Sequence, residues 1–228
     1  MLFRSASHIK NSSIFAIDLS LSSLAYAKRK TNDLSIKNVK YAQSDILNLG
    51  NLKKQFDIIE CVGVLHHMDN PMAGWKVLID RLKPGGLMKI GLYSEKARKN
   101  IVKLRKKIKS LGIETTDNEM KSFRQEIINS SYPEIHDLKM YQDFYSLSMF
   151  RDLLFHVQEH RFTISKIQNC LYQLGLNFCG FENKDLIDNF KLVQNSKEDI
   201  YDLNNWEIYE EKNPSSFIGM YQFWCQKP

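Results

Sequence analysis

Four short apolar runs, each closed by an acid or a turn, set the pattern of the first half of the chain. Ile14-Phe-Ala-Ile ends in Asp18, and Val39 to Ala42 leads into Ser44-Asp45. Phe56-Asp-Ile-Ile-Glu-Cys-Val follows, and Leu87 to Leu92 comes after Pro84-Gly85-Gly86. Runs of this length with little alternation predict strands buried on both faces, as in parallel sheets. Between them the period changes to that of a helix. Leu2, Ala6 and Ile9 share one helical face, as do Leu21, Leu24 and Ala25 behind a capping Ser20, and Trp75, Leu78, Ile79 and Leu82 within a helix over 72–82. Strands alternating with helices predict an α/β fold whose ligands sit beyond the carboxyl ends of the strands.

From about Ser94 the pattern changes. Lys96 to Leu111 reads as a basic helix with Ile101, Leu104 and Ile108 inward. Gly112 to Asn118 reads as a polar connection, 119–128 as helix, 130–143 as loop, and Tyr145 to Phe155 as apolar and aromatic. Ile164 to Leu174 predicts a helix, Gly175 to Phe181 a strand, Asp185 to Leu192 a short helix and Phe217 to Cys225 a closing strand. The expected organisation is a core over 1–94, a mostly helical insertion over 95–162, and the remainder of the same core over 163–228.

The bulk numbers narrow the class. With 228 residues and 43% hydrophobic positions, one domain with a real core is expected. The net charge of +6 is concentrated in Lys96 to Lys109, which reads as a solvated helix face, so a nucleic-acid partner is not expected. The four cysteines include no Cys-x-x-Cys pair, which points to reduced thiols and a cytoplasmic chain. No apolar run approaches the roughly 18 residues of a membrane helix, and no membrane partner is expected.

Asp18-Leu-Ser-x-x-Ser-Leu-x-x-Ala, Ser44-Asp45-Ile, the Phe56 strand running into Gly63-Val-Leu-His-His, and Leu82-Lys-Pro-Gly-Gly-Leu-Met-Lys-Ile occur in that order. Together they resemble the class I S-adenosylmethionine-dependent methyltransferases, in particular the type 11/12 domain group. The resemblance implies a Rossmann-like three-layer sandwich, with a mostly parallel sheet ending in an antiparallel hairpin. It implies S-adenosyl-L-methionine as cofactor and a small-molecule or protein methyl acceptor.

By the same resemblance, Asp18 and Leu19 would meet the cofactor's ribose, and Asp45 and Ile46 its adenine. Cys61 and Val62 would line the methionine part. A carboxylate suits a diol because it accepts two charge-assisted hydrogen bonds at once. Read from the residues alone, Asp18 and Asp45 are equally helix-start caps, and Cys61 is a small hydrophobe in an apolar strand. His66 and His67 are the weak catalytic candidates. Adjacent residues diverge by about 100° on a helix, so the pair is not expected to chelate a metal. His136 and His160, in the insertion, are further titrating groups. Tyr132, Tyr141, Phe144 and Tyr145 would either wall a substrate or pack the insertion.

One motif of the resembled family is missing. Its first strand and glycine-rich loop should lie roughly 20 residues before the acid at the second strand's end. Only Met1 to Ser13 precede the Asp18 strand, with no glycine among them. The expectation is therefore a chain lacking an N-terminal region, with unpaired edges on the Asp18 strand and on the Phe56 strand. It would be a methyltransferase whose activity as it stands is in doubt, or a non-catalytic remnant on the same scaffold.

Overall fold

The computed structural model describes residues 2–9, 11–129, 138, 141–155, 158–193 and 198–228. The chain opens with α1 (Leu2–His8), β1 (Ile14–Asp18), α2 (Leu21–Asp33) and β2 (Val39–Gln43). Then come β3 (Phe56–Val62), α3 (Pro71–Asp80) and β4 (Leu82–Leu92). Helices α4 (Lys99–Leu111), α5 (Asp117–Asn129) and α6 (Leu147–Phe155) form the middle. The chain closes through α7 (Ile164–Gln173), β5 (Asn177–Phe181), α8 (Lys184–Val193), α9 (Leu203–Lys212) and β6 (Tyr221–Gln226).

Local chemistry sets the helix starts. Ser20 accepts from the Ser23 amide to cap α2, and Asn70 does the same for α3 with Pro71 in the first turn. Thr163 caps α7. Asp202 caps α9, a helix the apolar pattern did not disclose. Leu82, expected on the α3 face, instead begins β4, which runs through Pro84-Gly85-Gly86 without leaving the strand. The register shifts across this stretch, with Gly85 at φ +73°, and the path is held where Gly85 donates to the Lys227 carbonyl and Lys227 to the Gly86 carbonyl.

β3 and β4 pair in parallel, and β6 lies antiparallel between β4 and β5. On one face of this sheet Cys61, Ile90 and Phe223 stand in neighbouring register, as do Ile59, Met88 and Cys225. They pack beneath Trp75 of α3, Ile167 of α7 and Trp206 of α9. Phe190 stacks flat on Trp206, with centroids 4.0 Å apart. A second, separate hydrophobic cluster joins α4, α5 and α6 through Ile101, Leu104, Phe123, Phe150 and Leu153. Among the described residues no helix is long and apolar enough to cross a membrane.

β1 and β2 form their own parallel pair, not hydrogen-bonded to the four-stranded sheet. The Ile14 amide donates to Asn38 and the Asp18 carbonyl accepts from Ser44. By the alternation of a parallel ladder, Ile14, Ala16 and Asp18 bond to β2 while the amides of Phe15 and Ile17 turn away. The two expected unpaired edges, on β1 and β3, are both present among the described residues. Phe15 nevertheless stacks parallel to Phe56, with centroids 6.3 Å apart, and the Ser5 hydroxyl donates to Glu60 at 2.7 Å. The pair therefore stays attached to the main sheet through side chains. In hydrogen exchange, the Phe15 and Ile17 amides are predicted to exchange at least about ten-fold faster than those of Ile14 and Ala16. Equal protection across the four would contradict the unpaired edge.

Candidate functional site

The loops that follow β1, β2 and β3 hold the residues the sequence singled out. Asp18 ends β1 with an exposed side chain whose Oδ1 accepts from the Ser20 amide at 2.8 Å. The Gln43 amide donates to the Leu19 carbonyl at 2.9 Å and fixes the next residue. Leu19 leaves 66% of its surface exposed. After β2, Asp45 caps the short 3-10 turn Ile46–Asn51, its Oδ1 accepting from the Leu47 amide at 2.8 Å. Asp45 thus performs the capping role, whereas Asp18 closes a local turn just ahead of the Ser20 cap, and each spends one oxygen on its bond. Their Oδ2 atoms have no hydrogen-bond partner among the described residues. Ile46 turns inward, into the main core.

β3 delivers Cys61 and Val62. Cys61 is buried, and burial pushes its thiol up to about 12, so it packs as a hydrophobe and is no nucleophile near neutrality. Val62 is half-buried. Gly63 follows with φ +80°, a conformation that L side chains rarely adopt. Its amide donates to the Gly91 carbonyl, so the chain leaves the strand in a fixed direction.

That turn feeds His66 and His67 into a polar seam the sequence did not reveal. The His66 ring stacks on Tyr93, with centroids 3.8 Å apart, and the Arg98 guanidinium lies 3.7 Å from the same ring's centre. Two groups this close to one ring must occupy opposite faces, so Tyr93 is clamped. The His67 ring meets His66 edge-on, and its Nδ1 lies 3.1 Å from the Gln158 carbonyl. The His160 amide donates to the His66 carbonyl at 2.7 Å. The two histidines are therefore held by different partners. Among the described residues no cluster of His, Cys, Asp and Glu is placed to hold a metal ion.

Glu159 anchors the seam, with 1% of its side chain exposed. Both its oxygens accept from Arg98, at 2.9 and 2.8 Å, while Arg105 reaches it at 2.9 Å and Arg161 at 3.8 Å. Arg105 also donates to the Leu153 and Asp152 carbonyls in α6. Burial alone would raise the Glu159 carboxyl, but the Arg98 and Arg105 charges and hydrogen bonds outweigh it and hold the group low. Of the expected aromatic wall, Tyr141 and Phe144 pack the helical cluster and Tyr145 is exposed. Tyr132 and His136 lie outside the described residues.

Residues 1–88 match the family model described as a methyltransferase domain. Over 99% of its length the structure superposes on PKMT2 from Rickettsia typhi, with a TM-score of 0.67 at 17% identity, covering 45% of that chain. PKMT2 in complex with AdoHcy gives 0.65 at 16% identity, covering 97% of this chain and 44% of that one. The chain has the class I methyltransferase fold. The plantazolicin methyltransferase BamL, in complex with a desmethyl substrate analogue and SAH, superposes at 0.51 with 14% identity, over 99% of this chain and 72% of BamL. An uncharacterised protein of Synechococcus sp. is 26% identical over 207 residues, 86% of this chain and 50% of the relative. The chain thus spans about half the length of the Synechococcus relative, and somewhat less of PKMT2.

A carboxylate held low in the folded state adds stability that is complete above its unfolded value and is lost as pH falls through the folded one. For Glu159 the unfolded value is 4.5. Glu159→Gln is predicted to cost about 3–5 kcal/mol near neutrality, because it leaves buried arginine charge uncompensated. The wild-type urea-unfolding free energy should then fall more steeply than the variant's as the pH is lowered from about 5 to about 3. Parallel curves for the two proteins would contradict a buried ionic anchor.

Proposed function

We propose that this chain is an S-adenosylmethionine-dependent methyltransferase whose cofactor lies along the carboxyl ends of β1, β2 and β3. The observation that carries the reading is a pair of acids, Asp18 and Asp45, each closing a parallel strand with one carboxylate oxygen uncommitted. The residues fit the cofactor's chemistry. Asp18 Oδ2 is an acceptor for ribose hydroxyls beside the exposed, apolar Leu19. Asp45 Oδ2 is an acceptor for the adenine amino group, with Ile46 behind it. Val62 and the left-handed Gly63 let backbone approach the methionine end without a side chain in the way.

When bound, the cofactor supplies an activated methyl on a positively charged sulfur. The chain's own task is to bind, orient and exclude water, and positioning supplies most of the acceleration in such transfers. The seam of His66, Tyr93, Arg98 and Glu159 stands past the ends of β3 and β4, where the acceptor would approach. The acceptor is a small molecule or a protein group. The core over 1–94 and 163–228 would carry the cofactor, and the helical insertion over 95–162 would cover the acceptor side.

Calorimetric titration with S-adenosylhomocysteine tests this reading. Micromolar binding is expected, and Asp18→Ala should weaken it by about 10- to 150-fold, the value of a hydrogen bond to a charged group. A folded chain that binds neither S-adenosylmethionine nor its product would contradict the proposal and favour a non-catalytic scaffold.

A further inference from the structure

A second polar cluster stands at the same edge of the sheet and serves no purpose described so far. Glu210 of α9 is fully buried. Its Oε1 accepts from the Tyr221 hydroxyl at 2.6 Å and from the Ser94 hydroxyl at 2.8 Å. Ser94, two residues past β4, is itself buried and accepts from the Ala97 amide. The other oxygen, Oε2, is buried with no hydrogen-bond partner. The Nζ of Lys96 is likewise buried with no hydrogen-bond partner, and it lies 3.8 Å from Oε2. Glu211 Oε1, on a largely exposed side chain, stands at the same 3.8 Å from Lys96.

A charged hydrogen bond between ammonium and carboxylate closes to about 2.7–2.9 Å. At 3.8 Å the two atoms neither bond each other nor reach water. Buried polar groups left in this state are rare and call for a third party. A third atom, an oxygen about 2.8 Å from each, would satisfy both groups. It must donate to Oε2 and accept from Nζ. A hydroxyl does both with one atom and keeps a second lone pair for the methyl; a neutral amine has one lone pair, which accepting from Nζ would occupy, a protonated amine has none, and a carboxylate cannot donate.

The place is suggestive as well. Tyr221 pairs with Leu92 at the end of β4. The neighbouring Met220 has its methyl 3.9 Å from where a Cβ on Gly63 would stand. The cluster therefore lies two strands along from Val62, about 10 Å away at ordinary strand spacing.

We propose that Glu210 and Lys96 bind a hydroxyl group of the methyl acceptor, with Glu210 as general base and Lys96 as the charge that steadies the developing oxyanion. The inference rests on the cofactor site proposed above, and it makes the acceptor an alcohol or phenol. Glu210 Oε2 takes the hydroxyl proton as the oxygen lone pair bonds to the donor's methyl carbon. The carbon–sulfur bond breaks, its electron pair stays on sulfur, and the sulfonium becomes a neutral thioether. Burial pushes the Glu210 carboxyl up against the opposing pull of Tyr221, Ser94 and Lys96, which makes it a stronger base than an exposed carboxylate. Without acceptor, an ordered water is the expected occupant of the same position.

A high-resolution crystal structure of the 228-residue chain tests the site directly. The expected result is a water oxygen about 2.8 Å from both Glu210 Oε2 and Lys96 Nζ. A direct Glu210–Lys96 hydrogen bond with nothing between would overturn the proposal. Methyl-labelled S-adenosylmethionine offered with 4-methylphenol or 4-methylaniline gives the chemical readout. Label in the phenol ether, lost at least about 100-fold in Glu210→Gln, supports the assignment. Label in the aniline alone, or a Glu210→Gln rate equal to wild type, overturns it. When neither probe is methylated, the crystal structure decides. S-adenosylhomocysteine affinity should be unchanged in Glu210→Gln. An absence of that binding in the wild type would count against the cofactor site, leaving the crystallographic result on the gap to stand by itself.

Discussion

Parallel strands deliver their loops to one edge, and nearly every feature of this protein follows from that constraint. A chain that runs β3, α3, β4 must return through a helix before the next parallel strand, so both carboxyl ends open on the same side. Val62, Gly63 and Tyr93 are neighbours for this reason, although they lie in different elements. The two-stranded β1–β2 ladder obeys the same rule and brings Asp18 and Asp45 to the ends of its strands. Antiparallel β6 is the exception, and it places Tyr221 beside Leu92, at the edge where β4 ends. The cofactor reading and the hydroxyl site thus draw on a single geometric cause.

Packing divides the molecule in two, and charge joins the parts. The main cluster under the four-stranded sheet and the cluster among α4, α5 and α6 do not share buried residues. Glu159 and its arginines stand between them, with Arg98 bridging to Tyr93 and Arg105 to the end of α6. A buried carboxylate surrounded by guanidinium groups is a poor source of net stability compared with apolar packing. It is, however, intolerant of misplacement, because any missing partner leaves a desolvated charge. Such a joint fixes where the helical layer sits relative to Tyr93, just past the end of β4.

Much of this was legible in the chain. The apolar runs gave the strands because buried parallel strands carry continuous apolar sequence, and the caps Ser20 and Asp45 are local. The α9 helix was missed because Leu203 to Lys212 is rich in asparagine and glutamate, and its cap, Asp202, is one acid among several. Leu82 was placed on the wrong element because helical spacing from Leu78 does not distinguish a last turn from a first strand residue. Arg98 and Arg105 were read with the exposed lysines of the same helix; only tertiary packing turns them toward Glu159. Residues 66, 93, 98 and 159 meet from three separate connections, and no spacing announces it. Glu210 and Lys96 are hidden for the same reason.

The central claim is that the carboxyl edge of β1, β2 and β3 is a binding site. Amide chemical-shift mapping of the isotope-labelled chain with S-adenosylhomocysteine tests it residue by residue. The account predicts the largest shifts at Leu19, Ile46, Leu47 and Gly63, with α5 and α8 unmoved. Shifts clustered away from those strand ends, or none in a folded chain at saturating ligand, would contradict it.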